Sequence, residues 1–120
     1  MKILVADDDL DQLAIRCLLL EQSGFETVQA SDPASALAIA RTEHPDCAIV
    51  DLRFPTEESG LRLLRDLKTL NSAIHLFLLT GANPMRLASR TETGLVDEVF
   101  EKGSASGSLV RKLKAVAAGA

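Results

Sequence analysis

The stretch "CAIVDLRFP", residues 47–55, poses the question on which the reading of this chain turns. Four apolar or small residues, Cys47, Ala48, Ile49 and Val50, read as a buried strand. They lead straight into a carboxylate, Asp51, and apolar residues resume at once. A buried carboxylate without a partner costs several kcal/mol, so a chain that keeps one at a strand end is expected to bring other groups to meet it.

Working outward, the same pattern recurs. Short apolar runs fall at residues 3–6, 25–29, 74–79 and, more weakly, 98–100, each of strand length and flanked by turn or acidic residues. Amphipathic segments lie between them. Leu10, Leu13, Ala14, Cys17, Leu18 and Glu21 describe one helix, stopped near Ser23-Gly24. Ser31-Asp32-Pro33 opens a second, with Ala36, Leu37 and Ala40 as its stripe and an end before Pro45. Leu61, Leu64, Leu67 and Leu70 give a third, Asn83-Pro84 opens a fourth, and Leu109, Leu113 and Val116 give a fifth. The order is (βα)5, which implies an α/β fold with a five-stranded parallel sheet, doubly wound, with helices on both faces and right-handed crossovers.

Composition sets the outer bounds. The 120 residues fit one domain, residues 1–120, and 47% hydrophobic residues suffice for a core. A net charge of −4 argues against nucleic acid or an anionic membrane as a partner held by bulk charge. The apolar run after Met1-Lys2 stops at Asp7, too short for a signal peptide or a membrane span, so a cytoplasmic protein is expected. Cys17 and Cys47 have no metal spacing and read as reduced core cysteines. The expected fifth helix runs to the end of the chain at Ala120, so output is expected through a protein contact, although a domain cut from a longer regulator or a hybrid kinase reads the same way.

Functional groups in open parallel sheets gather at the carboxyl ends of the strands. Those ends carry Asp7-Asp8-Asp9, Asp51, Thr80 and Lys102. Clustered carboxylates repel, and so raise a pKa or demand a cation. A few hard oxygens partly open to water suit Mg²⁺. A carboxylate beside Mg²⁺ and a lysine is equipped to attack a phosphoryl group and form an aspartyl phosphate.

These segments, "KILVADDD", "CAIVDLRFP", "LFLLTG" and "VFEKG", resemble the response-regulator receiver domains of two-component signalling, CheY-like, across essentially the whole chain. The resemblance implies a flavodoxin-like strand order of 2-1-3-4-5. It implies Asp51 as phosphoacceptor, Asp8 as a direct Mg²⁺ ligand and Asp7 as the acid that helps hold the metal. Asp51 itself and the backbone carbonyl of Arg53 complete the metal set, and Thr80 and Lys102 contact the phosphoryl group. Asp9 is left to begin the loop into the first helix and to help cap it. A histidine kinase or histidine phosphotransfer protein is the implied donor. The output partner is implied to bind the fourth helix, fifth strand and fifth helix, with Met85, Arg86, Leu87, Arg90, Val99, Arg111 and Lys112 as candidates.

The chain departs from the family pattern in three places. Gly103 follows Lys102 where proline is usual, so a trans peptide with an altered loop or a strained cis one is expected. Val99 stands where many members carry Tyr or Phe, and Phe100, one place later, is expected to face the other side of the sheet. "PTEESG", residues 55–60, is one residue longer than the common form, and Glu57 or Glu58 with Arg53 is read as tuning the lifetime of the phosphoryl group.

Taken singly, these residues have plain explanations: a solvated acidic cap, a surface lysine, a strand-end threonine. Only their joint placement carries the reading. His44 and His75 lack ligand spacing and read as ordinary histidines. Two other functions compete: a receiver-like interaction module that does not depend on phosphorylation, and a hydrolase of the haloacid-dehalogenase type suggested by Asp7 and Asp9 in "ADDDL".

Overall fold

The computed structural model describes residues 1–81, 94–102 and 106–119. The elements run β1 (Lys2–Ala6), α1 (Leu10–Gln22), β2 (Glu26–Ala30), α2 (Pro33–Glu43), β3 (Cys47–Asp51), α3 (Glu57–Leu70), β4 (His75–Thr80), β5 (Glu98–Glu101) and α4 (Ser106–Gly119). The strands form one sheet in the order β2-β1-β3-β4-β5, and every pairing is parallel. The helix expected to open at Asn83-Pro84 falls within residues 82–93, outside the described residues, as do Met85, Arg86, Leu87 and Arg90. The C-terminal helix expected as the fifth is therefore α4 here.

Strand alternation sorts the core into two layers. Leu4, Ala6, Ala48, Val50, Leu76 and Leu78 join Ala36 and Ala40 of α2 and Leu64 and Leu67 of α3. The intervening Ile3, Val5, Cys47, Ile49, Phe77 and Leu79 join Leu13, Cys17 and Leu20 of α1 and Leu109 and Leu113 of α4. Side chains at i and i+2 share a face, so the central strands β1, β3 and β4 serve both layers and read as continuous apolar runs. The apolar residues that resume after Asp51 belong to this scheme. Leu52 and Phe54 are buried in the α2/α3 layer, in register with Ala48 and Val50. As expected from the same alternation, Val99 packs against that layer while Phe100 enters the other, its ring 6.3 Å from that of Phe77. Both cysteines are buried and free, and burial pushes the Cys47 thiol up to about 12.

Local chemistry sets the helix ends. Asp9 caps α1 by accepting from the backbone N–H groups of Asp11 and Gln12. Asp32 caps α2 ahead of Pro33, and the chain leaves that helix through His44 at φ 49°. One expectation needs correction. The expected α1 stripe divides: Leu13 and Cys17 are buried and Leu20 joins them, whereas Leu10 and Leu18 stand 66% and 58% exposed and Ala14 and Glu21 are exposed as well. Helix α3 begins at Glu57, ahead of the leucine stripe, because Thr56 and Ser59 form a reciprocal capping box there.

The loop from β3 to α3 is tied down at several points. Leu52 N–H donates to the Leu79 carbonyl (2.8 Å), and the Ser59 hydroxyl donates to the Phe54 carbonyl (2.7 Å). Gly60 lies directly against the Leu52 backbone, where an added Cβ would sit 2.1 Å from the Leu52 carbonyl oxygen. That neighbour is backbone and cannot swing aside. Gly60→Ala is expected to cost roughly 1–3 kcal/mol of stability, the usual range for overpacking, read as a lower urea midpoint at unchanged m-value.

Candidate functional site

The carboxyl ends of β1, β3, β4 and β5 bring the expected residues together. Asp7 follows β1 and is fully buried, Asp51 ends β3 at 5% exposure, and Thr80 ends β4 at 1%. Lys102 follows β5, and its backbone N–H donates to the Thr80 carbonyl at 2.8 Å. That bond continues the β4–β5 pairing, in which Thr80 faces Glu101, and so places the lysine side chain over the site. Its ammonium donates to Asp51 Oδ2 at 2.7 Å.

Ligand atoms of Asp7, Asp8 and Asp51 all lie within 4.8 Å of one another. Among the described residues this is the one group of His, Cys, Asp and Glu side chains with geometry for a metal ion. Asp8 is exposed and the other two are buried, so the site combines fixed oxygens with an approach from water. Hard, few and partly solvated donors fit Mg²⁺. Beside them lies a cleft of about 320 Å³ lined by Asp51, Leu52, Arg53, Glu57, Thr80, Gly81 and Lys102. The three acids, Thr80, Lys102 and Arg53 thus meet at one edge. His75 lies elsewhere, at the opposite end of β4, with Nδ1 3.7 Å from Asp97. Gly103, on which the expected change of the lysine loop turns, lies outside the described residues.

One side chain in contact with the cluster escaped the sequence reading. Arg16 of α1 donates from Nη1 to Asp7 Oδ2 at 2.9 Å, while the Asp9 N–H donates to Asp7 Oδ1 at 3.0 Å. A signal was present. Arg16 lies three residues after Leu13 and four before Leu20, a cation on the buried face of an amphipathic helix.

The two buried acids part in acidity. Burial alone would push Asp7 up, but the Arg16 bond, the Asp9 N–H, Asp51 and Lys102 together hold its carboxyl below the usual carboxylate range. Burial pushes Asp51 up, the Lys102 bond opposes this, and the facing Asp7 adds to the rise, leaving Asp51 above the usual range.

Residues 3–114 match the response regulator receiver domain. The chain belongs to the response-regulator receiver family. Among its relatives is the transcriptional regulatory protein PrrA of Mycobacterium tuberculosis, 31% identical over 117 residues, 96% of this chain and 49% of PrrA. The receiver spans about half the length of the curated relatives that it matches most fully. Its fold is similar to the response regulator TrrA of Thermotoga maritima, solved in complex with Mg²⁺-BeF. The TM-score there is 0.84 and the identity 25%, covering 94% of this chain and 96% of that one. It is also similar to a response regulator from Burkholderia pseudomallei that carries a phosphorylated aspartic acid, a calcium ion and citrate. That comparison gives a TM-score of 0.80 and 25% identity, covering 98% of this chain and 72% of that one. A receiver is a signalling module rather than a catalytic enzyme, and it implies a histidine kinase as partner. No helix among the described residues is long and apolar enough to cross a membrane.

The raised Asp51 pKa has a consequence for stability. Native Asp51 binds its proton more tightly than the unfolded chain does. Stability therefore falls as pH rises from the unfolded value, near 3.9, through the native one, and the full cost is present above it. In EDTA, Asp51→Asn is expected to melt above the unmutated receiver at pH 7, with the gap closing as pH falls through that window. Thermal melts from pH 4 to 8 measure this.

Proposed function

We propose that this receiver takes a phosphoryl group on Asp51 from a histidine kinase or a histidine phosphotransfer protein, in the cytoplasm, with Mg²⁺ as cofactor. The observation that carries the reading is the contact between Lys102 and Asp51 at 2.7 Å beside the Asp7–Asp8–Asp51 triad. Asp7, Asp8, Asp51 and the Arg53 carbonyl would hold the ion. When bound, Mg²⁺ neutralises charge on the phosphoryl oxygens and lowers the repulsion between the donor and the acidic site.

The chain's own residues do the rest. An Asp51 oxygen attacks phosphorus in line, the bond from phosphorus to the donor imidazole breaks, and its electron pair leaves with the imidazole nitrogen. Lys102 shifts from the free carboxylate to a phosphoryl oxygen, where its charge offsets the one developing there. The Thr80 hydroxyl, from a residue that lines the same cleft, would hydrogen-bond a second phosphoryl oxygen. Occupancy of Asp51 then acts through Thr80 to bias a two-state equilibrium of the receiver. Val99 of β5 and the exposed Arg111 and Lys112 of α4 form the described part of the output surface for a protein partner.

Intact mass after incubation with Mg²⁺ and a small-molecule phosphodonor tests this. One phosphoryl adduct is expected, lost in Asp51→Asn and lost on chelation of Mg²⁺. A folded protein that gains no adduct overturns the reading. It would instead support an interaction module independent of phosphorylation, which the partly buried Val99 at the usual aromatic position favours.

Arg53 and Glu57 line the cleft beside Asp51, and we propose that attacking water would reach a phosphoryl group through it. Arg53→Ala is expected to change the half-life of the adduct several-fold, followed by loss of the adduct mass after the donor is removed. An unchanged half-life would exclude a role for Arg53 in controlling that water.

A further inference from the structure

We propose that Arg16 is a built-in counter-ion that competes with the divalent cation for Asp7, and so sets how tightly this receiver binds its metal. The inference rests on the metal-site reading above and deepens it.

Chain geometry makes the contact. Asp7 continues the alternation of Ile3 and Val5, the face of β1 that α1 covers. Arg16 leaves α1 on its buried side, between Leu13 and Leu20, and its side chain is only 13% exposed. Its guanidinium meets Asp7 Oδ2 at 2.9 Å, and Asp7 Oδ1 accepts from the Asp9 N–H at 3.0 Å. Both oxygens of the deepest acid in the cluster are thereby engaged by the protein. Asp51 is engaged in the same way by Lys102 at 2.7 Å. Of the three acids that converge within 4.8 Å, two carry a cation of their own, and among the described residues the exposed Asp8 is left as the site's net negative charge.

Two consequences follow from charge and position. A fixed positive charge in contact with Asp7 repels an entering divalent cation, and burial weakens the screening of that repulsion. The guanidinium also draws electron density from the carboxylate that would face the metal. Lys102 has a second role on phosphorylation and is partly exposed, whereas Arg16 is enclosed and far better placed to act as a permanent counter-charge. Arg16 is a positioning residue in this account. It acts through Asp7 and touches no substrate.

Calorimetric titration with MgCl₂ alone, without phosphodonor, separates the outcomes. Arg16→Met is expected to bind Mg²⁺ roughly tenfold more tightly, as a unit charge is removed from a weakly screened site. Arg16→Lys keeps the charge and is expected to stay close to the unmutated protein. Arg16→Met is also expected to melt lower in EDTA and to gain more in melting temperature from Mg²⁺. Should the Met variant fold poorly, Arg16→Gln, which keeps a donor toward Asp7, carries the same expectation. Unchanged or weaker Mg²⁺ binding in the folded Met or Gln variant overturns the proposal and leaves the metal site standing. An unmutated protein that binds no Mg²⁺ overturns the metal-site reading itself, and this proposal with it.

Discussion

The repulsion between two buried carboxylates is the constraint on which the site depends. Asp7 and Asp51 sit at the ends of adjacent parallel strands, β1 and β3, in almost complete isolation from water. Neither can be left alone there, since an unpaired buried charge costs several kcal/mol. The fold meets each with a cation from a different direction, Arg16 from the helix that covers β1 and Lys102 from the loop after β5. This divides the pair into a more acidic and a less acidic member, and the less acidic one is the residue assigned to chemistry. The cost is held by the sheet beneath, whose central strands β1, β3 and β4 are buried on both faces.

That sheet is also why the cluster can be accurate. Parallel pairing puts the carboxyl ends of neighbouring strands in register, so residues far apart in sequence arrive at one edge. The loop that carries Arg53 is fixed by the Leu52–Leu79 backbone bond, the Ser59–Phe54 bond and the close approach of Gly60 to the Leu52 carbonyl. The segment read as one residue longer than usual thus ends in a capped helix, and Glu57 is delivered to the cleft wall. Local turn chemistry and the functional site are the same few residues here.

Much of this was legible in the residues. The apolar runs and caps placed the five strands to within a residue or two, because a strand buried on both faces has a composition that few alternatives share. The Asp9 and Asp32 caps were readable for the same local reason. The acidic triad, Thr80 and Lys102 were legible because strand ends converge in any doubly wound sheet. The hydrolase reading of "ADDDL" fails on the same ground: Asp9 is spent on capping α1, and Asp51 has a place in the cluster. The division of α1 was harder to read. Leu10, Ile15 and Leu18 look like core residues by type, but the sheet offers that helix only one narrow contact, and Leu13, Cys17 and Leu20 take it.

The sequence by itself determined the order of elements, the layering of the core and the set of acids, because each follows from periodicity or from strand ends. It could not decide which cation meets which acid. Arg16 and Asp7 are paired by the angle at which α1 crosses β1, and Lys102 and Asp51 by the register of β5 against β4. Nor could it decide that Gly60 is obligatory, since a backbone contact with Leu52 exists only once α3 has docked. Those are distances between elements. They are decided by packing, where side-chain volume and sheet twist act together, and no local pattern in the chain encodes them.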